Sequence, residues 1–372
     1  MSRGLIQYSR NIFNLLSDGL SVSNIDNMKI LKNKNKSAFC EELKIFRNAS
    51  RLEVDYILHN VKIGRFLYEN IEYLVLTQIN KTNPSYEEIS RHLESLGIVE
   101  QEVNAGLFLV IATEANLQRI SPLDLRELDE IFFDEYDENY QGHDFYDLIK
   151  FIEIFAIFKI DANSIYSGRN YIETGYFICS QFQEFIKLPM QPLISDYISM
   201  LQEDSPVLKE NIFLSLTATH YKHAFIELYR CIEVLYVMPR SIMLKNKLSY
   251  SNPAYELARH CIDELGWRKR EEDSLCRIFK DIDEKIIETS GIQSVSFAEN
   301  SWSFDGTDDQ KKSHEALAIK IYRIRNQLVH QLYPNNELKI MDSDWNPLIK
   351  LLLNVTKDAY RVYQAELPQK FS

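Results

Sequence analysis

The residues best suited to chemistry lie in the segment KIYRIRNQLVHQLYP, where Arg325, Asn326 and His330 bring together a guanidinium, an amide and an imidazole. An imidazole titrates near neutral pH and can move a proton. A planar guanidinium can stabilise the charge that develops on a phosphate in a transition state. These residue types allow metal-independent RNA cleavage, in which the RNA 2'-hydroxyl attacks the adjacent phosphate. We therefore expect neither a metal nor a cofactor at this site.

The spacing of these residues is informative if the segment is helical. Asn326 and His330 are four residues apart, so their side chains lie on one helix face and the amide can orient the imidazole. Arg325 and His330 point roughly 140° apart at about 100° per residue, so the long guanidinium must swing round to join them. A buried face that fixes this helix is predicted from four apolar residues, Ile321, Ile324, Leu328 and Val329.

Composition favours helices as the elements that position these residues. Only 11 glycines and 10 prolines occur in 372 residues, about half of the average share, which argues against barrels and sandwiches with many tight turns. Hydrophobic residues make up 45% of the chain, which excludes a disordered protein. We expect an all-α protein, and the length predicts two compact units.

The distribution of charge indicates where the chain divides. Residues 205–372 contain 23 basic and 23 acidic residues, whereas residues 1–204 contain 19 basic and 31 acidic residues. The net charge of -12 therefore belongs to residues 1–204. A neutral C-terminal part removes the objection that an acidic chain should not bind RNA. We predict an acidic, mainly helical domain at 1–204, with a regulatory or sensing role, and a catalytic helical bundle at 205–372.

One segment of the N-terminal part, residues 124–147, carries ten carboxylates against Arg126 alone. Such a charge run is usually a solvated helix face. The alternative is an acidic surface that repels nucleic acid or covers a basic surface.

Helix start and stop signals define the predicted elements. In the N-terminal part, helices are expected from Ser85 to Gly97, from Asp144 to about residue 160, and from Tyr171 towards Ile186. In the C-terminal part we expect five helices: one ending near Tyr236, one after Pro253, one from about Arg268, one from Lys311 to Leu332, and one from about Trp345 to Leu367.

The segment RNQLVH, on the penultimate predicted helix, resembles the R-x4-6-H motif of ribonucleases of the HEPN domain family, with Asn326 at the polar position after the arginine. The segments ELYRCIEVLY and GWRKREEDSLCRIF are similar to the bacterial branch of that family found in phage-defence proteins. The resemblance covers residues 205–368 and does not extend to the N-terminal part.

The resemblance implies an endoribonuclease that cuts cellular RNA, tRNA among the candidates, in anti-phage defence or as a toxin. It also implies that two protomers join their motifs at a two-fold interface, so we expect a homodimer or a higher symmetric oligomer. The products would be a 2',3'-cyclic phosphate and a 5'-hydroxyl. A phage-encoded trigger or an antitoxin is the expected protein partner.

Three further residues are candidates for supporting roles. Glu233 is similar in position to acidic residues of the family and would accept hydrogen bonds from Arg325; the alternative is an ordinary solvent-facing carboxylate. Lys320 and Arg323 would contact the RNA backbone, or would simply keep the helix soluble.

A different class of function is also open. The bundle can be a non-catalytic dimerisation or interaction module, with Arg325 and His330 as cations that favour the C-terminal end of a helix. His220 and His223 have a spacing that can share a metal, but no third ligand is evident.

The cysteines and the N-terminus indicate the compartment. Five widely spaced cysteines include no C-x-x-C pair, which favours a reducing environment. The N-terminus lacks an apolar run with a cleavage site, so we expect a cytoplasmic protein that does not associate with a membrane.

Overall fold

The computed structural model of the chain describes residues 3–18, 20, 25–31, 36–120, 125–133, 138–265, 271–283, 285–292, 295, 310–329 and 340–368. The chain forms two compact units, Met1–Phe182 and Gln183–Ser372. The division therefore lies about twenty residues before the predicted one, and residues 183–204 belong to the second unit. In the described part of the chain, no helix is both long and apolar enough to cross a membrane.

The first unit contains an antiparallel sheet, so the prediction of an all-α protein is wrong. The strands are β1 (Glu53–Leu58), β2 (Val61–Tyr68), β3 (Ile71–Thr77), β4 (Ile98–Glu100) and β5 (Phe155–Ile160). Their order across the sheet is β1-β2-β3-β5-β4, so β5 is inserted between two strands that precede it in sequence.

Seven helices are described in this unit: α1 (Leu5–Ser17), α2 (Lys36–Asn48), α3 (Tyr86–Ser95), α4 (Ala105–Glu114), α5 (Leu125–Phe133), α6 (Phe145–Ile149) and α7 (Tyr171–Ser180). Helices α1, α2 and α4 share one core with the sheet side chains Phe66 and Val75. On the opposite face, α7 packs so closely that a Cβ added at Gly175 would lie 2.3 Å from Ile63 Cδ1. Helices thus cover both faces of the sheet.

The covering of both faces explains why the sequence of β5 predicts a helix. Phe155, Ala156, Ile157 and Phe158 of β5 are all buried, and such a continuous apolar run has the same pattern as a buried helix segment. Asp144 does begin a helix, since its Oδ1 accepts the Tyr146 N–H at 3.0 Å. That helix, α6, ends at Ile149 rather than near residue 160.

The tight turns of the sheet do not use glycine. Glu69 and Asn70 connect β2 to β3 with φ angles of 52° and 62°, a left-handed conformation that asparagine tolerates best among non-glycine residues. The low glycine count therefore did not exclude a sheet. The helix predicted after Ser85 is confirmed as α3, and Gly97 follows it with a φ of 76°.

Helices form all the regular structure of the second unit within its described residues. They are α8 (Ile194–Gln202), α9 (Lys209–Leu216), α10 (Tyr221–Glu233), α11 (Met238–Leu248), α12 (Ala254–Leu265), α13 (Glu271–Asp281), α14 (Lys285–Ser290), α15 (Gln310–Val329) and α16 (Asp342–Tyr363). The five predicted helices correspond to α10, α12, α13, α15 and α16. Within residues 205–372, the structure adds α9, α11 and α14.

Helix α10 is the centre of this unit, because it packs against α9, α13, α15 and α16. Its residues Ala224, Phe225 and Leu228 are fully buried. The Tyr360 hydroxyl of α16 donates to the Cys231 carbonyl of α10 at 3.1 Å and so joins these two helices in the core. After α10, a short 3-10 helix, Val234–Val237, leads into α11.

The acidic segment at 124–147 follows the solvated-face interpretation where it is described. Glu127, Asp129 and Glu130 of α5 are exposed, whereas Leu128 and Ile131 are buried. The segment is therefore an amphipathic helix over 125–133; residues 124 and 134–137 lie outside the described residues.

A buried carboxylate, Glu114, organises one end of the first unit. It accepts hydrogen bonds from Arg3 Nε at 2.7 Å, from the Tyr8 hydroxyl at 2.6 Å and from the Leu52 N–H at 2.9 Å. Arg51 also donates to it. Burial acts to raise the pKa of Glu114, but these hydrogen bonds outweigh burial and lower it to about 2.

This pKa predicts an acid-sensitive fold. Because the pKa is depressed from 4.5, the carboxylate stabilises the folded state at pH values above 4.5, and this contribution is lost as the pH falls towards 2. The free energy of unfolding should fall by about 3 kcal/mol over that range through this residue alone. Urea unfolding of the full chain between pH 7 and pH 2.5, with and without Glu114→Gln, measures it.

Glu114→Gln should lose about 3 kcal/mol at pH 7 and show a shallower pH profile. The matched control is Glu127→Gln, whose carboxylate is 54% exposed and pairs with the exposed Lys150; it should change stability by less than about 0.5 kcal/mol. Parallel pH profiles for wild type and Glu114→Gln would contradict the assignment.

Candidate functional site

Helix α15 carries the candidate residues and is fixed by its apolar side. Ile321 and Ile324 are buried, as predicted, and the helix packs against α13 and α10. Leu328 is half-buried and Val329 is 48% exposed. The predicted buried face therefore does not include Val329 at the C-terminal end of α15. His330 lies outside the described residues.

The guanidinium of Arg325 is held by side chains from three helices. Its Nη2 donates to Glu233 Oε1 of α10 at 3.2 Å, and its Nη1 donates to Asn326 Oδ1 at 2.9 Å. A second carboxylate, Glu271 of α13, places Oε2 at 3.7 Å from Nη1. The Arg325 side chain is 16% exposed, so water reaches it only in part.

An aromatic ring forms the floor below this guanidinium. The Arg325 Cζ atom lies 5.6 Å from the ring centroid of Tyr229, within the range of a cation–π contact. Tyr229 and Tyr236 are fully buried and share a hydrogen bond between their hydroxyls. Burial raises the pKa of both phenols above the ordinary value of 10.0, so both are neutral at physiological pH.

Among the described residues that contact Arg325, together with Arg325 itself, the formal charges sum to a negative value. One guanidinium faces the carboxylates of Glu233 and Glu271 within 4 Å, while the tyrosines contribute no charge. The arrangement holds a guanidinium in one orientation, which is what a phosphate-binding arginine needs. A phosphate that binds Arg325 must, however, compete with these carboxylates.

The first turn of α13 also binds two other arginines. Asp273 accepts a hydrogen bond from Arg277 Nε at 3.2 Å and another from Arg240 of α11. The Arg240 hydrogen bond is the main reason that the pKa of Asp273 is lowered. Residues 271 and 273 therefore serve different arginines, although they lie two positions apart.

The predicted supporting residues differ in how they relate to Arg325. The hydrogen bond expected from Arg325 to Glu233 is present. Asn326 is predicted to hold the imidazole or to donate to a non-bridging phosphate oxygen, and both roles stay predictions. In the structure its amide oxygen accepts from Arg325 and so helps to orient the guanidinium. Arg323 is exposed and is two positions from Arg325, which puts it roughly 160° away around the helix.

Lys320 is half-buried on the same helix. Burial, followed by the like charge of Arg323, lowers its pKa. Lys320 and Arg323 therefore form a cationic pair on a side of α15 turned away from Arg325. RNA-backbone binding by these two residues at the Arg325 site stays a prediction.

The histidine pair also has a defined geometry. The rings of His220 and His223 lie 5.5 Å apart, centroid to centroid, and are nearly perpendicular. Across the residues that the structure describes, no group of three or more His, Cys, Asp or Glu side chains is arranged to hold a metal ion.

Sequence reasoning missed Tyr229, Tyr236 and Glu271. Tyr229 precedes Glu233 by four residues, so the two share a face of α10, and this spacing was the available signal. Glu271 lies in an acidic helix start, which is expected of any helix N-terminus. Its approach to Arg325 depends on how α13 packs against α15.

Comparison with known proteins finds no significant similarity: no protein-family model, no curated protein and no solved structure matches this chain. The class of protein is therefore given by its fold and its site alone: it is a molecule of two compact units. It has one α/β unit and one helical unit with a partly buried arginine between two carboxylates.

The interaction energy between Arg325 and Glu233 can be measured with a double-mutant cycle. In a double-mutant cycle with Arg325→Met and Glu233→Gln, urea unfolding should give a coupling of about 1 kcal/mol, because both groups are partly desolvated. The control cycle uses Arg230 and Glu227 on α10, where Arg230 is 57% exposed. Its coupling should be below about 0.5 kcal/mol, and equal coupling in the two cycles would contradict the geometry.

Proposed function

We propose that this protein is a metal-independent endoribonuclease in which Arg325, Asn326 and His330 carry the chemistry. The observation that supports this most is the fixed guanidinium of Arg325, which Glu233 and Asn326 orient at 3.2 Å and 2.9 Å. It precedes His330 by five residues at the end of α15. A preorganised cation, together with an imidazole five residues further along the sequence, is a pair of groups that suits phosphodiester cleavage.

The proposed reaction is an internal transesterification. His330 accepts the proton of the 2'-hydroxyl while the 2'-oxygen forms a bond to phosphorus. The bond from phosphorus to the 5'-oxygen breaks, and a proton is delivered to that oxygen. Arg325 stabilises the charge on the non-bridging oxygens. The products are a 2',3'-cyclic phosphate and a 5'-hydroxyl.

The assembly and the cellular role are proposed from the same motif. Two protomers would bring their copies of Arg325 and His330 to one cleft, so the active form is a symmetric homodimer or a higher symmetric oligomer. The substrate is cellular RNA, and the role is anti-phage defence or toxicity in the cytoplasm. The first unit would sense a phage-encoded trigger or bind an antitoxin.

The test is cleavage of total RNA by the purified full chain in the presence of EDTA, with sequencing of the RNA ends. Wild type should yield 5'-hydroxyl and cyclic-phosphate ends. His330→Ala and Arg325→Ala should each lower the rate by about 100-fold or more. Arg325→Lys should also fail to restore the rate, because an ammonium cannot reproduce the planar donor geometry.

The matched control is Arg361→Ala on α16, which removes an arginine that is 70% exposed and pairs with Asp358. It should cleave RNA as wild type does. Cleavage that EDTA abolishes, or equal cleavage by all five chains, would contradict the proposal.

A second candidate function is a non-catalytic interaction module. The observation that favours it is that Glu233 and Glu271 already balance the charge of Arg325, which then serves to join α15 to α10 and α13. In that case Arg325→Ala should lower the free energy of unfolding by about 2 kcal/mol or more. Cellular RNA should remain intact with the wild-type chain.

A further inference from the structure

The two carboxylates beside Arg325 have different geometry. Glu233 lies at hydrogen-bond distance, 3.2 Å from Nη2, and is 32% exposed. Glu271 lies 3.7 Å from Nη1, which is beyond a good hydrogen bond, and is 37% exposed. Glu233 therefore fixes the orientation of the guanidinium, whereas Glu271 contributes charge with little directional constraint.

Both terminal nitrogens of Arg325 already have acceptors. Nη2 donates to Glu233, and Nη1 donates to Asn326 with Glu271 close by. A phosphate that binds the guanidinium through paired N–H groups uses at least one of these two nitrogens, so it comes close to an acceptor that is already there. The partner released most easily is Glu271, because its contact with Arg325 is the longest of the three.

The floor of the site does not offset this negative charge. Tyr229 and Tyr236 are neutral phenols whose hydroxyls bond each other. Among the described residues of this group of contacts, Arg325 is therefore the only cation. The neighbouring arginines, Arg240 and Arg277, are paired with Asp273 instead. The described charged groups at this site, Arg325 with Glu233 and Glu271, therefore carry a formal charge of minus one.

We propose that Glu271 restrains the site: its carboxylate pairs with Arg325 in the absence of RNA, and an RNA phosphate must displace it in order to bind. This inference rests on the proposed function, in which Arg325 contacts RNA phosphate. Glu233 has the opposite role, since it positions the same guanidinium for that contact. Removal of the two charges should therefore have opposite effects on RNA binding.

The experiment measures the binding of a fluorescent single-stranded oligoribonucleotide by the full chain at fixed ionic strength. All variants carry His330→Ala, so that the RNA is not cut. Glu271→Gln keeps the size of the side chain and removes its charge, and it should raise the affinity about tenfold. Glu233→Gln should lower the affinity, because the guanidinium loses its fixed orientation.

The matched control is Asp273→Asn, which makes the same change in net charge on the same turn of α13 but releases Arg240 and Arg277 rather than Arg325. It should change the affinity by less than about threefold. With Arg325→Ala also present, Glu271→Gln should give no gain. Glu271→Asp retains the charge on a shorter side chain, so its RNA affinity should lie between that of the His330→Ala chain and that of Glu271→Gln. It replaces Glu271→Gln if that variant folds poorly.

Several results would overturn the inference: no gain with Glu271→Gln, a gain equal to that of Asp273→Asn, a gain that persists without Arg325, or no RNA binding by any variant. A failure of the proposed function is distinguishable, because it appears as absence of cleavage by the chain with His330 intact. Cleavage that depends on Arg325 and His330, combined with no effect of Glu271→Gln on binding, overturns the restraint alone.

Discussion

A cation that is largely withdrawn from water must be paired with an anion. Arg325 meets this constraint with carboxylates from neighbouring helices. Its guanidinium lies over the ring of Tyr229 with little exposure, so its charge has to be balanced by nearby carboxylates. Glu233 and Glu271 supply them from two other helices. The same three side chains therefore join α10, α13 and α15 and set the charge of the candidate site.

The first unit follows the same physical rule with the signs reversed. There the group withdrawn from water is the carboxylate of Glu114, and donors from Arg3, Tyr8 and Leu52 converge on it. The difference lies in the balance of charge. Glu114 has more cationic donors than it needs, which makes it a structural anchor, whereas Arg325 has more carboxylates than it needs. When an arginine has two carboxylate neighbours, another anion can replace one of them while the arginine stays paired with the other.

The sequence predicted the second unit better than the first. Helical periodicity located α15 and α16, and the motif indicated Arg325. Glu233 was predicted as its partner from a resemblance in position to acidic residues of a known family, and the structure brings the two together. In the first unit, helices cover both faces of the sheet, so β5 has no alternation of polar and apolar residues. The turn at Glu69 and Asn70 uses no glycine, which removed the other usual signal.

By itself, the sequence determined which residues have side chains suited to chemistry, since the types and spacing of Arg325, Asn326 and His330 can be read from one short segment of the chain. Only the tertiary structure decided what surrounds them. Glu271 is more than fifty positions from Arg325 in the chain and approaches it because α13 packs against α15. A contact between side chains on different helices depends on how the helices pack, and a single sequence does not encode that packing in any local pattern.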